Sequence, residues 1–144
     1  MIFKNFSFLE INLIIIIIMA ILGSKFKFYE KFKHYDMLFH FVSGLILTRI
    51  GFIFALGIMD LKLCYLYSIA FMFAVTIQSI WEVFEFLCDE FLGTNMQRRY
   101  YSINMPDSRI KSAAIRDTMT DTIFYIMGVL SYIIVIITQH YMYH

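Results

Sequence analysis

The chain has little of what a water-exposed domain is built from. Only 16% of its 144 residues are charged, against roughly 25% in an average soluble domain, so an ordinary solvated surface is excluded. Two cysteines, Cys64 and Cys88, lie inside apolar runs without CxxC spacing, and neither a disulfide framework nor a thiolate metal site is indicated. One proline and six glycines form no Pro/Gly/Ser-rich linker. No internal repeat of roughly 20–50 residues divides the chain either, so residues 1–144 are expected to form a single integral membrane domain. Charge of one sign is also missing: 12 Lys and Arg stand against 11 Asp and Glu, for a net charge of +1. That balance selects no partner, and no nucleic acid is expected to bind.

What is present is apolar and aromatic, 60% hydrophobic residues with 19% Phe, Trp and Tyr. The composition predicts an all-α polytopic membrane protein with four transmembrane helices in one bundle, spanning about 6–23, 36–59, 63–92 and 117–138. The first run, LIIIIIMAIL, competes with a signal peptide, but no small-x-small cleavage site follows it and a Lys-rich segment does, so a retained helix is expected. Glu10 and Asn12 near its start read as interfacial residues reaching the headgroups. The ten methionines, the aromatics and Trp81 read as membrane core and interfacial anchors.

The most informative stretch is QSIWEVFEFLCD, Gln78 to Asp89. At about 100° per residue, Gln78, Glu82, Glu85 and Asp89 fall within about a 60° arc of one helix face. Ionisable groups in hydrocarbon cost several kcal/mol unless they face a partner, a cavity or an ion. The helix from Leu63 to Leu92 is about 45 Å long, exceeding a hydrocarbon core of about 30 Å, so its polar C-terminal end is expected to project to the interface.

Two further spans carry acids in the same way. Asp36 and His40 are spaced i, i+4 with Ser43 at i+7, stacking three polar groups on one face as metal ligands or a relay would. Asp117 and Asp121 repeat the i, i+4 spacing at the start of the last span, with Tyr125 and Gly128 near the same face. Gly44 and Gly51 read as close-packing points between helices. Arg49 points away from the Asp36 face and is expected to pair with another helix or snorkel.

The connecting segments set orientation. Lys25, Lys27, Lys31 and Lys33 fill the first loop, and Arg98, Arg99, Arg109, Lys111 and Arg116 the polar loop 93–116, against Lys4 at the N-terminus and Lys62 in the second loop. Positive residues gather on the cytoplasmic side, so loops one and three are expected there, with both termini outside. Asp36 and His40, Glu85 and Asp89, and Asp117 and Asp121 would then converge at one end of the bundle.

Six carboxylates, Asp36, Glu82, Glu85, Asp89, Asp117 and Asp121, cannot all stay ionised in one low-dielectric pocket without counter-charge. A divalent cation held by these six and His40 would supply it, Mg²⁺ or Mn²⁺ before Zn²⁺ or Fe²⁺, leaving Arg98 and Arg116 for a phosphate. Three readings stay open. One is a metal-assisted or acid/base site, with His40, Glu82 and Glu85 as catalytic groups, acting on or binding a lipid-linked phosphate. A second is a small cation- or proton-coupled transporter or channel subunit, for which four spans would require an oligomer. The third is a non-catalytic packing protein. A di-iron site would need Glu-x-x-His pairs that the chain lacks, and Ser43 has no nucleophile-elbow context.

The succession D-x-L-x-H-F-x-S-G (Asp36–Gly44), W-E-x-x-E-F-x-x-D (Trp81–Asp89), G-T-N-M-Q (Gly93–Gln97) and D-T-M-x-D (Asp117–Asp121) resembles the YjdF family of small, functionally uncharacterised bacterial inner-membrane proteins. The resemblance covers roughly residues 36–128 and implies a multi-pass protein of the bacterial cytoplasmic membrane. It adds Asn95 and Gln97 as ligand-binding candidates, beside a turn or capping role for both. A weaker likeness to VanZ-like membrane proteins suggests an envelope role by analogy. Those proteins usually carry Glu then Gln on the acidic helix, where this chain has Glu82, Glu85 and Asp89.

Overall fold

A computed structural model of the chain describes residues 2–26, 28–32, 34–58, 62–94, 96–97 and 107–143. Apolar runs with few helix breakers form four long helices and one single turn: α1 (Ile2–Lys25), α2 (Phe28–Lys31), α3 (Tyr35–Ile58), α4 (Leu63–Leu92) and α5 (Asp107–Tyr143). No strand occurs among the described residues. Three helical segments are long and apolar enough to cross a bilayer, Tyr35–Gly57, Leu63–Leu92 and Ile115–Met142, and α1 adds a shorter apolar stretch, Glu10–Gly23. The expected helical membrane bundle is therefore the architecture observed.

Helix α3 is its axis. It packs most extensively on α5, then on α4, with α1 laid against it and joined by the Tyr35 hydroxyl, which donates to the Met19 carbonyl at 2.7 Å. The α3–α5 contact is backbone against backbone. A Cβ on Gly44 would collide with the Tyr125 carbonyl oxygen, and one on Gly128 with the Phe41 carbonyl oxygen. Lipid offers apolar helices no hydrophobic drive to associate, so this close van der Waals approach is what holds them. Gly51 faces α4 instead, where a Cβ would lie 2.9 Å from the Phe73 ring.

Along α4 one face changes character. Leu66, Ala70 and Ala74 are buried in its first half, and Gln78, Glu85, Cys88 and Asp89 in its second. The alanines pack into two apolar clusters, one with Phe52, Ala55 and Leu66 and the other with Tyr125 and Val129. Between them and the polar half, the buried Tyr125 hydroxyl donates to the Ala74 carbonyl at 2.8 Å, tying α5 to α4. Gly93, in the left-handed region at φ 65°, ends the helix.

Two elements depart from the sequence expectation. Helix α5 begins at Asp107, well before residue 117, so part of the segment read as loop 93–116 is helical. Asn12, expected at the headgroups, is buried, whereas Glu10 is exposed as expected. Arg49 is half-buried, with Tyr132 of α5 within electrostatic reach.

Replacing Gly44 or Gly128 by alanine should destabilise the bundle by about 1–3 kcal/mol, as overpacking against rigid backbone does. Gly57 is exposed with nothing within 4 Å of an added Cβ, and Gly57→Ala should be neutral or slightly stabilising. Thermal unfolding of the three variants in one detergent checks the contrast.

Candidate functional site

The polar ends of α3, α4 and α5 meet at one end of the bundle. Gly44 and Tyr125 touch through backbone, and one helical turn back from each lie His40 and Asp121, so parallel helices α3 and α5 bring these two face to face. His40 is 2% exposed and Asp121 3%, which removes bulk water from between them. The imidazole Nε2 sits 3.6 Å from Asp36 Oδ1 and 3.7 Å from Asp121 Oδ2, both too long for a direct hydrogen bond. One donor atom from each of the three residues lies within 4.8 Å of the other two. Ligands on a single ion with bonds of about 2.1 Å lie ~3 to 4.2 Å apart, so a slight closure fits the set to one divalent cation.

The other face of His40 meets α4. Its Nδ1 is 3.4 Å from Gln78 Oε1, and the Gln78 amide nitrogen donates to Glu82 Oε1 at 2.6 Å. Thr118 lies alongside the Glu82 carboxylate, whose other oxygen, Oε2, is buried and makes no hydrogen bond of good geometry among the described residues. An orphaned carboxylate oxygen of this kind is satisfied by a cation, a proton or a water. Glu85, one turn further on and buried, accepts the Trp81 indole N–H at 2.7 Å. The charges of Asp36, Glu82, Glu85 and Asp117 all reach Asp121, so the end of the bundle is a like-charge cluster in need of compensation.

Asp89 occupies a different setting. Its Oδ1 accepts the Thr94 hydroxyl at 2.6 Å and the Met96 N–H at 2.7 Å, and its Oδ2 accepts the Gln97 N–H at 2.9 Å. The carboxylate thus folds the start of the G-T-N-M-Q segment back over the end of α4. Gln97 is buried there, and its side-chain amide donates to Thr118 Oγ1 of α5 at 3.3 Å. Of the other sequence candidates, Asp117 is half-buried beside Thr118, and Arg116 is exposed on the neighbouring position of α5. Asn95 and Arg98 lie outside the described residues.

Three residues in this arrangement carried no assigned role in the sequence. Gln78 stood in the acidic stripe as its one neutral member, and its link to His40 is a contact between helices that periodicity does not show. Thr94 and Thr118 sit inside recognisable motifs but owe their roles to tertiary placement.

An all-helical bundle with three bilayer-length apolar helices and a buried polar end defines the class: a multi-pass membrane protein. Residues 3–142 match the family described as "Predicted membrane protein (DUF2238)", and the chain belongs to that family. No curated protein and no solved structure matches it.

Since Asp89 holds two backbone amides and a hydroxyl, Asp89→Ala should release the Met96 and Gln97 amides. Amide hydrogen exchange should show their protection falling by tenfold or more, equivalent to about 1–3 kcal/mol, while amides in the middle of α3 stay unchanged.

Proposed function

We propose that Asp36, His40 and Asp121 hold a divalent cation, and that the site acts on or binds a lipid-linked phosphate at the cytoplasmic face of the bacterial inner membrane. The observation that carries this reading is the convergence of three donor atoms from α3 and α5 within 4.8 Å, buried, at the charged end of the bundle. Two carboxylates and one imidazole suit Mn²⁺ well and Mg²⁺ or Zn²⁺ less closely. Such an ion would polarise a phosphoryl oxygen.

The chain's own groups divide the remaining work. With Nε2 turned to the two carboxylates and Nδ1 to Gln78, His40 is a ligand and leaves proton transfer to others. Glu82, with one oxygen orphaned, and Glu85 are the bases in reach of the site. Arg116, exposed at the start of the α5 span beside Asp117, is placed to attract an anionic headgroup. The lysine-rich connection between α1 and α3 and the arginines before α5 support the cytoplasmic orientation. Within the family, the four spaced motifs support grouping the chain with YjdF.

Elemental mass spectrometry of detergent-purified protein, prepared without added metal, tests the proposal. Wild type should carry close to one divalent ion per chain, and His40→Ala and Asp121→Asn should each lose it, while Gly57→Ala retains it. If wild type carries none and neither Mn²⁺ nor Mg²⁺ raises its unfolding temperature, the metal site is wrong. Given a loaded protein, a short-chain phosphatidic acid should raise the unfolding temperature further, and less so in Arg116→Ala.

A further inference from the structure

We infer that Gln78 is a positioning residue that fixes the tautomer of His40, presenting a bare Nε2 to the Asp36 and Asp121 carboxylates; this rests on the metal reading above and deepens it.

Glu82 sets the orientation of the Gln78 amide. A carboxylate accepts hydrogen bonds, so the Gln78 group 2.6 Å from Glu82 Oε1 is the amide nitrogen, and the amide oxygen is thereby turned the other way. That oxygen faces His40 Nδ1 at 3.4 Å. An amide oxygen can only accept, so the ring proton belongs on Nδ1. In a neutral imidazole the other nitrogen then carries a lone pair. Nε2 is the nitrogen that lies between Asp36 Oδ1 and Asp121 Oδ2 at 3.6 and 3.7 Å.

A lone pair pointed between two ionised carboxylates is repulsive unless a proton or a metal ion joins them. The arrangement is one that a cation satisfies, and free histidine would oppose it, since it favours the proton on Nε2. Metal-bound histidines are held in this way by a partner on the second ring nitrogen, and losing that partner weakens metal binding by about 10- to 100-fold. Here the partner is itself oriented by a third residue, Glu82, one turn away on α4. Gln78 is buried, so water does not readily replace it.

The test is ¹⁵N NMR of histidine-labelled full-length protein in detergent, without metal, with the His40 signals identified by their loss in His40→Gln, followed by Mn²⁺ titration of the same samples. Wild type should show Nδ1 protonated and Nε2 bare. Gln78→Met, close in size but without an acceptor, should lose that preference and bind Mn²⁺ about 10- to 100-fold more weakly. Glu82→Gln retains an oxygen that accepts from Gln78 and should keep the wild-type tautomer, whereas Glu82→Leu should not. This pair keeps the test decisive if Gln78→Met does not fold.

A wild type with Nε2 protonated overturns the inference, as does Gln78→Met with unchanged tautomer and unchanged Mn²⁺ affinity. A wild type with bare Nε2 that depends on Gln78, yet binds no Mn²⁺, upholds the positioning role and removes the metal reading alone.

Discussion

The backbone contact between α3 and α5 is the constraint on which the polar end depends. Gly44 against the Tyr125 carbonyl and Gly128 against the Phe41 carbonyl allow the two parallel helices to touch without intervening side chains. One turn nearer the polar end, the imidazole of His40 and the carboxylate of Asp121 face each other between the same two helices. With any larger residue at either glycine the helices would part, and the 3.7 Å separation of His40 from Asp121 would open with them. Packing in the apolar half therefore sets geometry in the polar half, as expected where helix association relies on close fit.

Helix α4 completes the arrangement by using a single face in two ways. Ala70 and Ala74 let it approach α5 closely enough for the Tyr125 hydroxyl to reach the Ala74 carbonyl. Four residues beyond Ala74, the same line of the helix delivers Gln78 to His40, and four beyond that, Glu82 to Gln78. The i, i+4 repeat that packs the first half thus becomes a hydrogen-bonded sequence in the second. A shift of α4 by one turn would put an alanine opposite His40 and leave the imidazole without its partner.

The sequence made the faces legible and the partners much less so. Asp36 with His40, the stripe from Gln78 to Asp89, and Asp117 with Asp121 could be placed on helix faces because each lies within one helix, where spacing determines direction. Their meeting at one end followed from the alternation of spans. Other features depend on what lies opposite. Asn12 looked interfacial by its position in α1, and it is buried because that helix lies against α3. The early start of α5 was hidden by charge, since Arg109, Lys111 and Arg116 mark a wet segment whether or not it is helical. Asp89 looked like a further member of the stripe, but its partners, Thr94, Met96 and Gln97, come from chain that turns back after Gly93, and no periodicity describes that turn.

The distribution of hydrogen-bond donors separates these acids more sharply than their spacing. Asp89 receives three donors, and Glu85 receives the Trp81 indole. Glu82 receives the Gln78 amide on Oε1 and has Thr118 alongside, while its Oε2 has no hydrogen bond of good geometry among the described residues. Asp36 and Asp121 flank one imidazole nitrogen. A bundle whose acids served packing alone would lower its energy by giving each buried carboxylate comparable donors, or by replacing it with an apolar residue, since an uncompensated buried charge is costly. The buried Asp121 lies against His40 one turn from the place where the α3 and α5 backbones touch. The glycine contacts hold that place together without any contribution from the acids, so the fold can sustain a local cluster of negative charge that a cation would satisfy.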